Sequence, residues 1–125
     1  VSKISRLQSF KYAFEGIWYA LRTQRNAQIH CGIALAMLGL GLMLSLPPIE
    51  WAVLALTTGF VFATELMNTA VESAMDFATT EPHPQIKIVK DVAAGAVLIA
   101  AITAVVVGLL ILGPPLLAVF LRWLA

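Results

Sequence analysis

Glu65-Leu66-Met67-Asn68-Thr69-Ala70-Val71-Glu72-Ser73-Ala74-Met75-Asp76 closes an apolar run that begins near residue 51. The run is long enough to cross a membrane as a helix, and four of its polar members recur at spacings of three, four and four. At about 100° per residue, Glu65, Asn68, Glu72 and Asp76 fall within an arc of about 80° and make one stripe. A carboxylate near the bilayer centre costs roughly 2.5–3.5 kcal/mol on insertion scales, so such residues mark functional sites. The stripe is where chemistry is expected.

The rest of the chain agrees with a membrane setting. Of 125 residues, 60% are apolar and 12% charged, where a soluble domain carries about 25% charge. Three apolar stretches, near 29–46, 51–75 and 92–112, each match a hydrocarbon core of about 30 Å. A fourth, 116–124, is too short to cross and holds Arg122. It reads as an interfacial tail after the breaker Gly113-Pro114-Pro115. Residues 7–22 repeat Leu7, Phe10, Phe14, Ile17, Trp18 and Leu21 at helical spacing, with Lys11, Glu15 and Arg22 elsewhere on the wheel. That pattern suits an amphipathic helix on the membrane surface, and a helix packed on the bundle satisfies it equally. The expected architecture is an all-α membrane protein in one domain, 1–125: an N-terminal surface helix plus three transmembrane helices per chain.

Charge gives the expected orientation. Lys3, Arg6, Lys11, Arg22 and Arg25 crowd the N-terminal segment, whereas Pro47-Pro48-Ile49-Glu50 holds no basic residue. The positive-inside rule puts the N-terminus and the 76–91 loop in the cytoplasm. Glu72 and Asp76 then approach that face, and Glu65 lies deeper. No signal peptide is expected in residues 1–28, which lack a continuous apolar core and a cleavage site. The lone Cys31 says little about compartment. Nucleic acid is not an expected partner.

Ala96, Ala100, Ala104 and Gly108 form a small-residue ridge at four-residue spacing, and ridge and Gly39-Leu40-Gly41 alike read as packing features. One helical triplet hardly hides three carboxylates from lipid on every side, so copies of the chain are expected to associate around the stripe.

After the stripe, an expected loop at 77–89 carries Glu81-Pro82-His83, and Lys90-Asp91 opens the third span. Carboxylates, an amide and a lysine at a cytoplasmic membrane edge suit a magnesium–polyphosphate site. Magnesium prefers oxygen ligands and commonly takes one or two carboxylates plus substrate phosphates; lysine supplies a mobile charge for phosphate. A sunken carboxylate is suited to accept a hydroxyl proton. Neither a G-x-x-x-x-G-K-[ST] loop nor the protein-kinase segments occur. An ion or proton path accounts for the acidic stripe equally well, but not for Glu81, His83, Lys90 and Asp91 beside it. Taken singly, Lys90-Asp91 reads as a helix-start charge pair, His83 as a loop residue and His30 as an interfacial histidine. Thr64, Thr69 and Ser73 have hydroxyls placed to bond the preceding helical turn.

Glu65-x-x-Asn68-Thr69-Ala70-x-Glu72-x-x-x-Asp76, followed by Glu81-x-His83 and Lys90-Asp91-x-x-x-Gly95-Ala96-Val97, resembles the small integral-membrane diacylglycerol kinases of bacteria, a family that includes undecaprenol kinases. The resemblance covers roughly residues 8–112. It implies a homotrimer in the bacterial inner membrane, with active sites shared between subunits, that moves the γ-phosphoryl of MgATP to a lipid hydroxyl. Diacylglycerol is the first expected acceptor, undecaprenol the second. On this resemblance Glu65 matches the general base that also meets the lipid, and Glu72 the magnesium-binding carboxylate. Asn68, Asp76, Glu81, His83, Lys90, Asp91 and Tyr12 match positions around the nucleotide. Gln24 stands where many members carry a metal-binding glutamate, and offers a neutral carbonyl oxygen instead. Gln28 stands at a nearby position that is basic in those members.

Overall fold

A computed structural model describes residues 3–125. It contains four helices among the described residues: α1 (Arg6–Thr23), α2 (Arg25–Leu44), α3 (Pro48–Ala78) and α4 (Pro84–Leu124). The last three are long and apolar enough to span a membrane.

Helix ends follow local chemistry. Ser5 caps α1 through a reciprocal box, its hydroxyl accepting from the Gln8 amide while the Gln8 side chain accepts from the Ser5 amide, which satisfies two otherwise free donors. Gln24 separates α1 from α2 in an extended conformation. Ser45 ends α2 in the left-handed region at φ 53, and α3 restarts with Pro48 in its first turn, where a missing N–H costs nothing.

The three long helices pack antiparallel. His30 of α2 meets Glu65 of α3, while Gly41 of α2 meets Trp51 near the start of α3. Between α3 and α4, Asp76 meets Lys90 at one end, and Leu54 joins Leu112 in the core at the other. That core, Leu46, Leu54 and Leu112 with Trp51, Met37 and Ile111 around it, lies away from the polar stripe. Apolar closure holds one end of the bundle, leaving the other for charged side chains.

Helix α1 lies beside α3, with Ala13, Gly16, Ile17 and Ala20 lining the groove between them. Leu7, Phe10, Phe14 and Trp18 face away from the chain and are exposed. Its larger apolar side chains are therefore not consumed by intrachain packing, as a surface helix requires.

Three local expectations are corrected. The connection after the stripe is 79–83, not 77–89: α3 runs to Ala78 and α4 starts at Pro84. Thus Lys87 is helical, and Lys90 and Asp91 lie within α4 rather than opening it. The polar residues there had suggested a loop, whereas they occupy helical turns extending beyond the apolar segment. Gly113-Pro114-Pro115 does not break the chain either, because α4 continues to Leu124 with both prolines inside it. In apolar surroundings a helix satisfies its backbone internally, which an open loop does not. The small-residue ridge is also partly displaced. Ala100 is buried, but Ala96 is exposed and a Cβ at Gly108 would meet nothing within 4 Å. The contact line instead follows Val97, Ala100, Ala104 and Ile111, because a strict four-residue repeat drifts around a helix of about 3.6 residues per turn. Gly41 does pack, against Trp51; Gly39 has open space beside it.

Candidate active site

At 31 residues, α3 is roughly 46 Å long, well beyond a hydrocarbon core of about 30 Å. The polar stripe occupies its C-terminal half and changes from buried to exposed along its length. Glu65 is 2% exposed and Asn68 9%; Glu72 is half-buried and Asp76 exposed. Helical spacing alone aligns the four, and their depths follow from how much of α3 is covered by α1, α2 and α4.

At the buried end, Glu65 Oε1 lies 3.1 Å from His30 Nε2. Their relative angle leaves Oε1 without a hydrogen bond, and Asn68 Oδ1 is likewise buried and unbonded. Asn68 Nδ2 reaches Glu72 Oε1 at 3.5 Å. Two orphaned acceptors are costly, about 1–3 kcal/mol for each buried group left unsatisfied. Such atoms call for a donor or a cation: a side chain that shifts toward them, a water, the substrate or a bound ion. Thr64 and Thr69 do not supply it: their hydroxyls donate to the Val61 and Glu65 carbonyls of the preceding turn.

At the exposed end, Lys90 Nζ donates to Asp76 Oδ1 at 2.6 Å and Lys87 Nζ to Asp91 Oδ2 at 2.5 Å. These side chains, with Glu81 and His83, line an open cavity of about 890 Å³ at the α3–α4 turn. The turn is tied locally, by the Thr79 hydroxyl accepting from the Glu81 amide. His83 Nδ1 accepts from the Gln85 amide and caps α4, a structural task absent from the sequence reading. The cavity brings together Asp76, Glu81, His83, Lys90 and Asp91. Glu65, Asn68 and Glu72 lie further along α3, outside its lining. A second groove of about 440 Å³ runs between α1 and α3, lined by Ala13, Gly16, Ile17, Leu66 and Ala70 among others.

Tyr12 is 51% exposed on α1 and lines neither cavity. Gln24 sits at the α1–α2 junction, where its side-chain amide contacts Thr23 Oγ1 at 3.4 Å. Gln28 is occupied in a way that sequence spacing did not reveal. Its amide donates to the Leu21 and Arg22 carbonyls at 3.1 and 3.2 Å, satisfying the free C-terminal end of α1. His30, read from sequence as interfacial, is instead folded inward against Glu65, its side chain 20% exposed. A polar ring inside an apolar span was the available signal; the partner lies on another helix, beyond the reach of spacing.

Among the described residues no group of three or more His, Cys, Asp or Glu side chains gathers as a ready cage for a metal. The donor set nevertheless fits a magnesium ion that takes part of its shell from a substrate. Glu72 supplies an anionic oxygen and Asn68 Oδ1 a buried acceptor lacking a donor, within the usual one-or-two-carboxylate pattern.

An all-helical chain of three spanning helices, with acids on one helix and lysines on the next, has the elements of a membrane phosphotransferase. The comparisons with known proteins make the class definite. The sequence model of the prokaryotic diacylglycerol kinases matches residues 11–112, and the chain belongs to that family. It is 44% identical to the undecaprenol kinase of Bacillus subtilis (strain 168), over 87% of this chain and 89% of the other. It is 49% identical to the diacylglycerol kinase of Synechocystis, over 90% of this chain and 65% of the other. A diacylglycerol kinase of Helicobacter pylori (strain 26695) is 32% identical over 94% of both. The protein is a lipid kinase of an ATP-dependent family, which sets aside the non-enzymatic conducting subunit.

Proposed function

We propose that this chain transfers the γ-phosphoryl group of MgATP to the primary hydroxyl of diacylglycerol, giving phosphatidate. The observation that carries the reading is the buried Glu65 carboxylate with an unbonded oxygen, on the same helix face as acids that end beside Lys90. The same stripe thus offers a proton acceptor at depth and phosphate-binding chemistry at the surface.

The lipid tail lies along the apolar α1–α3 groove, whose member Leu66 adjoins Glu65 in sequence. Glu65 orients the hydroxyl and takes its proton as the oxygen attacks the γ-phosphorus. The bond to the β-phosphate bridging oxygen breaks, and ADP leaves. Phosphoryl transfer asks mainly for positioning and charge neutralisation. Lys90 neutralises phosphate oxygens, with Asp76, Glu81, His83 and Asp91 around the nucleotide and Tyr12 beside its base. Glu72 and Asn68 would hold magnesium, and Gln24 offers a neutral oxygen nearby. When bound, the ion supplies charge neutralisation at the phosphates.

The active unit is a homotrimer with sites shared between subunits. The large exposed apolar surface of the single chain and the separation of Tyr12 from the α3–α4 cavity support this. The N-terminus and the α3–α4 turn face the cytoplasm, as the N-terminal cluster of basic residues supports. Undecaprenol is the second acceptor, favoured by the near full-length similarity to an undecaprenol kinase.

Labelled ATP offered to the purified protein in mixed micelles, with both lipids in parallel, tests the reading. Phosphatidate is the expected main product. Preferential undecaprenyl phosphate selects the second acceptor, and transfer to neither overturns the proposal. Glu65→Gln should lower turnover by roughly 10²–10⁴-fold while ATP still binds.

A further inference from the structure

We propose that His30 is a positioning residue for Glu65, holding its carboxylate in the orientation that receives the lipid hydroxyl proton. The inference rests on the reading of Glu65 as the proton acceptor.

The geometry is specific. His30 stands about 8 Å along α2 from Arg25, where the helix is otherwise apolar through to Leu44 except for Asn26, Gln28 and Cys31 nearby. Its Nε2 lies 3.1 Å from Oε1 of Glu65, whose side chain is 3% exposed. Glu65 is held through its backbone, the carbonyl accepting from the Thr69 hydroxyl, but that bond does not set the carboxylate torsions. Terminal carboxylate torsions are broad, so an acid with no lateral contact samples many orientations. The imidazole is the closest polar contact recorded for this carboxylate. Nε2 is close enough for a hydrogen bond to an oxygen whose bonding capacity is still open, although the present angle does not make one.

The arrangement divides labour between helices. Glu65 on α3 shares its stripe with the phosphate-binding groups, whereas His30 approaches across the α2–α3 interface. A small turn of the ring completes a hydrogen bond to Oε1 and leaves Oε2 to the substrate. A neutral imidazole suffices for this, since either ring nitrogen can carry the donor proton. His30 touches no reacting atom itself. Its effect is on how often the acid is correctly aimed, and appears in the rate of the chemical step.

Four purified variants test this: His30→Met, which fills the space without a donor; His30→Gln, which restores an N–H; Glu65→Gln; and His30→Met combined with Glu65→Gln. Thermal unfolding and ATP binding are measured for each, with His30→Phe replacing the Met variant if the latter does not fold. His30→Met is expected to lower kcat on the order of 10- to 100-fold, with KM for ATP changed less than about twofold. His30→Gln should regain most of that loss. In the Glu65→Gln background, the His30 change should alter the residual rate less than about twofold, since the two side chains act as one unit. Wild-type kcat in His30→Met, beside an inactive Glu65→Gln, overturns the role of His30 and leaves the base intact. An equal loss in both backgrounds also overturns it. Near-normal turnover in Glu65→Gln removes the base itself, and with it this inference.

Discussion

Lys90 Nζ and Asp76 Oδ1 stand 2.6 Å apart across the 79–83 turn, joining the outer end of α3 to the first turns of α4. Both side chains are reachable from solvent, and the pair borders the larger cavity. An exposed ion pair of this kind contributes little to stability. Its placement bears instead on the proposed nucleotide site, where the aspartate would hold the lysine in place until a phosphate competes for it.

Removing the lysine separates these roles. Lys90→Ala is expected to raise KM for ATP roughly tenfold or more, while Tm moves by no more than about 2 °C. Steady-state kinetics and differential scanning calorimetry on one preparation check both. A Tm loss with unchanged KM would assign the pair a structural role.

Gln24 predicts a metal phenotype. Restoring charge with Gln24→Glu should lower the magnesium concentration for half-maximal activity by roughly three- to tenfold, because ligand charge tunes affinity for hard cations. A magnesium titration at fixed ATP reads this directly. An unchanged midpoint would show that position 24 does not face the ion.

Gly41 is tested by its neighbour. A Cβ there would lie 2.5 Å from Cη2 of Trp51 and 2.8 Å from Cζ2, too close for the bulky indole to accommodate without movement. Gly41→Ala should destabilise the bundle by about 1–3 kcal/mol and change Trp51 fluorescence. Adding Trp51→Leu should recover much of the loss. A fully stable Gly41→Ala protein would show that α2 and α3 separate easily at this end.

Assembly gives a fourth expectation. Native mass spectrometry from mild detergent should show three chains per complex. Mixing Glu65→Gln chains with Lys90→Ala chains, assayed at an ATP concentration well below the raised KM of Lys90→Ala, should give more activity than the two variants show separately if sites are shared. Failure of mixed, reassembled complexes to regain turnover would confine each site to one subunit.

Spans and stripe were legible because both depend on period and length. Glu65, Asn68, Glu72 and Asp76 align on any helix of ordinary pitch, whatever surrounds them. Positions 84–89 were harder, since Gln85 and Lys87 look like a loop but lie on a helix continuing past its apolar portion. Pro114 and Pro115 carried a strong stop signal, yet local propensity lost to the cost of exposing backbone in an apolar setting. His30 was misread because its partner is 35 positions away in sequence. Spacing within one helix reports a face; it says little about which side chain on a neighbouring helix comes to meet it.

Gln28 has a mechanical consequence. By grasping the last carbonyls of α1 from within α2, it braces the elbow at Gln24 from the inside. The two segments are thereby expected to move as a single bent rod, presenting an arriving lipid with a fixed rail rather than a swinging gate. If the proposed acceptor runs along α1, mutations that loosen the elbow should broaden what is admitted before they slow what is made.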